Sequence, residues 1–220
     1  MRVVFDLDGT LIGGADADVA CWTVAARAVL GVDDVSVDLA SVPVVTDLGV
    51  LDAVARLHVG RAVTDDEVER FRARYPVVLG DVVRDHPRSF APIAGALVLL
   101  EALGERWGIA TGNIRRAYEI KRVAAGLPAA RTAMCAEDAR DRPGLVAGCA
   151  ERLGAEGRVV SVGDGVWDVD AARILGVPFV GVGTGERAAR LYARGARHVV
   201  GDFADLDGTL ALLERAEVPR

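Results

Sequence analysis

The sequence predicts an α/β protein in which a doubly wound parallel sheet carries an inserted, all-helical segment. Three patterns point there. A β-branched and aromatic run, Val3-Val4-Phe5, opens the chain as a buried strand would. From residue 92 onward, short apolar runs alternate with helical stretches, which implies right-handed crossovers and parallel strands. Between the two, residues 15–87 read as helix and turn with no strand pattern. The expected division is a core of residues 1–14 and 88–220 and a helical cap domain of residues 15–87.

In chain order, the first strand runs into the turn residues Gly9 and Thr10 and the loop Ile12-Gly13-Gly14. A helix is expected from Ala15 to about Leu30, with Asp16 and Asp18 toward its positive end and Gly31 as its stop. Residues 33–45, with Pro43, are irregular, and Thr46-Asp47 caps a helix from Leu48 to about Leu57. Thr64-Asp65-Asp66-Glu67 is a capping box for a third helix, in which Pro76 should bend or interrupt the run. Then follow a helix from Pro92 to Leu103, a strand at 107–111, a helix at 114–126 and a weak strand at 131–135. A helix at 143–153 has proline in its first turn. Strands at 158–162, 178–182 and 197–200 alternate with helices at 168–175, 186–194 and 204–214.

Of the 220 residues, 51% are hydrophobic, enough to bury a sizeable core. A net charge of −6 argues against non-specific binding to nucleic acid or an anionic membrane, and no apolar run approaches the length of a membrane span. Cys21, Cys135 and Cys149 are scattered and odd in number, as expected of reduced thiols in a cytoplasm, and no secretory leader is apparent. Lys121 is the one lysine in an otherwise arginine-based set of cations.

Polar residues collect where the strands end, the edge at which open α/β sheets bind ligands. Asp6 and Asp8 follow the first strand and are spaced to face one site. Such a pair suits a hard cation with oxygen ligands or a nucleophile with a companion acid. Thr111-Gly112-Asn113 precede a helix and suit an oxyanion or phosphate. Asp164 and Asp168 flank a strand-to-helix turn and can converge on one cation, and Arg142 puts a positive charge at a helix start, where only a partner anion makes it favourable. Asp205-Leu206-Asp207-Gly208-Thr209-Leu210 repeats the first acidic motif, but in a helical setting that makes it a coincidence.

Together these residues resemble the haloacid dehalogenase superfamily, specifically its phosphatases with a helical cap after the first strand. Phe5-Asp6-Leu7-Asp8-Gly9-Thr10-Leu11 is similar to the family's first motif, Thr111-Gly112-Asn113 to its second, and Gly163-Asp164 with Asp168 to its fourth. The third motif departs: Arg142-Pro143 stands where the family has lysine before proline, with Lys121, expected to be a solvated mid-helix lysine, as the rival cation. The resemblance implies a phosphoglycolate phosphatase-like enzyme that hydrolyses a small phosphorylated metabolite. Asp6 would be the nucleophile and Asp8 the general acid and base, with Mg²⁺ on Asp6, the main-chain carbonyl of Asp8, Asp164 and Asp168. Thr111, Gly112, Asn113 and Arg142 would hold the phosphoryl group. A β-phosphoglucomutase-type mutase is the alternative. Asp8 argues against a dehalogenase, and the chain's length and inserted cap argue against a receiver-like switch. Within the cap, Thr46, Asp47, Arg56, His58 and Arg61 are polar but expected to be solvated. Arg187, Arg190, Arg194 and Arg197 are expected to form one solvated face, and Trp167 to be a packing residue.

Overall fold

The computed structural model describes residues 1–154 and 157–220, with the backbone alone of Ala40. Its centre is a 6-stranded parallel sheet of order β3-β2-β1-β4-β5-β6. The strands are β1 (Arg2–Phe5), β2 (Trp107–Ala110), β3 (Ala133–Met134), β4 (Val159–Gly163), β5 (Phe179–Val182) and β6 (Val199–Val200). Val3, Val4 and Phe5 are buried on both faces, as a central parallel strand requires. Val3 registers with Trp107 on one side and Val160 on the other. The chain winds outward from β1 through β2 to β3, then returns to β4 on the opposite flank. The switch in winding direction therefore falls at the carboxyl end of β1, where a crevice opens.

The helices of the sheet are α4 (Ala96–Leu103), α5 (Arg115–Ala124), α6 (Arg142–Arg152), α7 (Val166–Leu175), α8 (Gly185–Arg194) and α9 (Leu206–Arg215). Between β1 and α4 lie α1 (Ala15–Leu30), a 3-10 turn at Leu39–Ser41, α2 (Asp47–Val54) with a π-helical turn at Ala55–Val59, and α3 (Asp65–Asp85). The main apolar cluster runs without a break from Phe5, Leu7 and Leu11 at the sheet to Leu51, Phe71, Tyr75 and Leu79 in the inserted helices.

Two helical expectations are corrected. The second helix starts at Asp47 and gives way after Val54 to the π-helical turn, which Gly60 ends at φ +79°. Pro76 does not interrupt α3, which continues from Asp65 to Asp85. A helix-interior proline costs about 3 kcal/mol, and here packing outweighs it. Phe71 stacks on Tyr75 with ring centroids 5.3 Å apart, Trp22 of α1 packs on Phe71 at 5.7 Å, and Pro76 and Leu79 are buried beside them. The start of α3 is as expected: the Thr64 hydroxyl accepts from the Glu67 N–H and the Glu67 carboxylate accepts from the Thr64 N–H. Arg61 forks onto the same carboxylate at 2.7 and 2.8 Å and holds it down at about 2.

Candidate active site

β1 ends at Phe5, so Asp6 and Asp8 lie just beyond the strand and are not aligned by its pleat. The Asp6 N–H still donates to the Val162 carbonyl at 2.9 Å, while the N–H groups of Thr10, Leu11 and Ile12 all turn back to the Leu7 carbonyl. The two carboxylates consequently meet different partners. Asp6 faces β4 and α6, and Asp8 faces α5.

On the Asp6 side, Arg142 Nη2 donates to Asp6 Oδ1 at 2.8 Å and to Asp168 Oδ1 at 2.7 Å, and its Nε reaches the same Asp168 oxygen at 3.1 Å. The expectation that an anion explains a cation at this helix start is met by two buried carboxylates. One oxygen each of Asp6, Asp164 and Asp168 lie within 4.8 Å of one another. Gly9 makes that proximity possible: at φ +75° it takes a left-handed conformation, and a Cβ there would stand 2.1 Å from Asp164 Oδ2. Burial, and then the nearby Asp168, push the Asp164 carboxyl up to about 7 against the pull of Arg187 and Arg142. Burial likewise raises Asp6 well above the carboxylate range. Arg142 opposes that shift, while Asp168, Asp164 and Asp8 add to it. The cluster is therefore short of positive charge, and an all-oxygen donor set in that condition fits a hard divalent cation. The Asp8 carboxylate stands outside the cluster, which leaves only its main chain as a candidate ligand.

On the Asp8 side, Asn113 Nδ2 donates to Asp8 Oδ2 at 2.5 Å and to Thr111 Oγ1 at 2.6 Å. Lys121 Nζ donates to Asp8 at 3.0 and 3.1 Å, to Asn113 Oδ1 at 2.5 Å and to Asp18 at 2.6 Å. The expected solvated lysine is instead fully buried. Burial alone would lower its ammonium, but Asp8, Asp18 and Asp47 more than reverse that and raise it. Its place is set by α5, whose buried face is Ala117, Tyr118 and Lys121, the lysine lying four residues after the first and three after the second.

The loop between β2 and α5 is pressed against the inserted helices. A Cβ on Gly112 would stand 2.9 Å from the Val45 carbonyl oxygen and 3.3 Å from Arg142 Nη1. The Asp47 N–H donates to the Gly112 carbonyl at 2.7 Å, and Asp47 Oδ2 accepts from the Ile114 N–H at 2.8 Å. Glu137 accepts from the Arg115 N–H at 3.0 Å, so the first turn of α5 is already capped. Thr111, Gly112 and Asn113 lie just ahead of that turn.

Several solvated expectations are overturned. Thr46 is buried, its hydroxyl accepting from the Gly49 N–H, and Asp47 accepts from the Ile114 N–H as just described. Arg187, on the first turn of α8, pairs with Asp164 at 3.1 Å and so belongs to the site, whereas Arg190, Arg194 and Arg197 are exposed. Arg56 pairs with Asp52, His58 Nε2 lies 2.9 Å from the Ser36 carbonyl, and Arg61 holds Glu67, all away from the acids. Asp205 of the repeated hexapeptide accepts from the Gly208 N–H as the cap of α9. Among the described residues, a cavity of about 360 Å³ adjoins the site, lined by Gly9, Ile93, Gly183, Thr184 and Arg187.

Comparison with known proteins places this arrangement. No curated protein sequence matches the chain. A hydrolase from Pseudomonas syringae aligns at 24% identity with TM-score 0.75, covering 98% of this chain and 99% of that one. CbbY from Rhodobacter sphaeroides, solved in complex with phosphate, aligns at 19% identity with TM-score 0.72, covering 94% and 96%. A β-phosphoglucomutase from Clostridium difficile aligns at 17% identity with TM-score 0.72, covering 97% and 96%. At these identities the likeness is one of fold. A family model, haloacid dehalogenase-like hydrolase, matches residues 1–176, the span that carries Asp6, Asp8, Asn113, Arg142, Asp164 and Asp168. By that match the chain belongs to the haloacid dehalogenase-like hydrolases.

Proposed function

We propose that the protein is a Mg²⁺-dependent phosphatase that hydrolyses a small phosphomonoester through an aspartyl-phosphate on Asp6. The observation that carries this reading is the buried Asp6 carboxylate, held by Arg142 within a cluster where three carboxylates share the two guanidinium groups of Arg142 and Arg187. Asp6 attacks phosphorus as the bond to the leaving oxygen breaks, and Asp8 gives that oxygen its proton. Asp8 then takes a proton from water, whose oxygen displaces Asp6 from phosphorus. Arg142, with Nη1 beside Gly112, and the Thr111-Gly112-Asn113 loop hold the other phosphoryl oxygens. We assign the third-motif role to Arg142 rather than Lys121. The three protons of the Lys121 ammonium already have acceptors in Asp8, Asp18 and Asn113.

Asp6, Asp164, Asp168 and the Asp8 carbonyl would hold the metal. When bound, Mg²⁺ supplies the charge that lets a carboxylate approach a phosphate dianion. The inserted segment, residues 15–87, acts as a cap over the crevice and selects the substrate, and a cytoplasmic location is part of the same proposal. The support for the cap is its direct seating on Gly112 and Ile114 through Asp47, and for the location three free, buried cysteines.

A panel of phosphorylated metabolites with Mg²⁺ tests the reading. Turnover that vanishes on chelation and in Asp6→Asn, with the fold retained, is expected. Residual activity in Asp6→Asn rejects Asp6 as nucleophile, and interconversion of β-glucose 1-phosphate without net phosphate release moves the assignment to a mutase.

A further inference from the structure

The cation beside Asp8 is unlike the one beside Asp6. Arg142 answers two acids of the core, whereas Lys121 stands between the core and the inserted helices. Its ammonium bonds Asp8 and Asn113 on one side and Asp18 of α1 on the other. Asp18 in turn accepts from the hydroxyl of Tyr75 on α3. The far end of this train is buried: Tyr75 and Lys121 are both 0% exposed, and the Asp18 side chain is 17% exposed. Phe90 closes another side, with Nζ 5.9 Å from its ring centroid. Every ammonium proton has an acceptor, so Nζ cannot shift toward one carboxylate without losing another. Among the described residues, the Asp8 carboxylate, 21% exposed at the crevice, is hydrogen-bonded from behind by Lys121 and Asn113.

We propose that Lys121 is a positioning residue for leaving-group protonation, holding Asp8 toward the leaving oxygen. We further propose that Asp18 and Tyr75 make that orientation depend on the inserted helices being seated on the core. The proposal rests on the phosphatase reading above. It adds that the proton delivered by Asp8 is aimed by residues that never touch the substrate, and that a cap lifted off the sheet releases Lys121 and with it Asp8. A chain with these helices displaced still has its nucleophile, but a poorly aimed acid.

A purely structural lysine would lower all activity alike, so the test is one of leaving groups. Steady-state kcat/KM is measured with Mg²⁺ on 2,4-dinitrophenyl, 4-nitrophenyl and phenyl phosphate, whose leaving groups need a proton to increasing degree. In Lys121→Met the ratio of kcat/KM between the dinitrophenyl and phenyl esters rises by about 30-fold or more, within the range that general acid catalysis supplies. Removing a cation from among three carboxylates could itself unfold the chain, so Asp18→Asn is measured beside it. That change keeps the lysine and takes the negative charge off the one oxygen, Asp18 Oδ1, that accepts from both Tyr75 and Lys121. The ratio is expected to rise by about 10-fold, from a residue on the inserted helices. An unchanged ratio in Asp18→Asn overturns the proposal while leaving the phosphatase reading intact. A wild type that releases no phosphate from these esters or from the panel of phosphorylated metabolites overturns both.

Discussion

Asp47 shows what a single half-buried carboxyl does here. Burial raises it to about 8, against the pull of Lys121 and the Ile114 N–H and with the repulsion of Asp18 and Asp8 added. Unfolded, the same group titrates near about 3.9. The folded state therefore binds the extra proton between those values, and stability falls as pH rises from about 4 to about 8. Asp47→Asn keeps an acceptor for Ile114 and removes the titration. Its melting temperature, measured against pH, should lose most of that slope and exceed the wild type's by roughly 3 °C or more at pH 8. Asp47 also marks where sequence reading stops. Asp6 and Asp164 were legible because each directly follows a strand, and Asp168 because it opens the helix after one, at the edge where a parallel sheet gathers its strand ends. Asp18, Asp47, Lys121 and Arg187 come from helices, and which helical face meets the site depends on packing across 60 or more residues for Asp47 and Ile114 (|i−j| = 67). One signal was available: Lys121 shares its helical stripe with Ala117 and Tyr118, which marks it as inward-facing.

At the scale of elements, most of the fold was readable because propensity and packing agree. The capping box of α3 is the plainest case, with Thr64, Glu67 and Arg61 satisfying the first turn. Thr64→Ala should cost about 1 kcal/mol of stability, seen as a shift in the urea midpoint without a change in slope. Glu67 is held at about 2, so its support is full above its unfolded value of about 4.3 and fades as pH falls toward 2. The π-helical turn and the unbroken run through Pro76 were not readable, because both are local conflicts that contacts with other elements resolve. Around Pro76 these are Phe71, Tyr75 and Trp22, the last from a helix more than a turn-length of chain away.

At the scale of the whole molecule, the sheet and the inserted helices share one apolar cluster and meet over the crevice through Asp47, Gly112, Asp18 and Lys121. Among the described helices none is long and apolar enough to cross a membrane. Because Lys121 is the sole lysine of the chain, the seam between the two halves contains the only ε-amine available to an acylating reagent. Apart from the amino terminus, a folded molecule should add no acyl group until the seam parts. The mass gained over time, read by mass spectrometry on intact protein, then counts openings directly, with no dye or engineered label. Acylation at the speed of a free lysine would mean that the halves stand apart in solution.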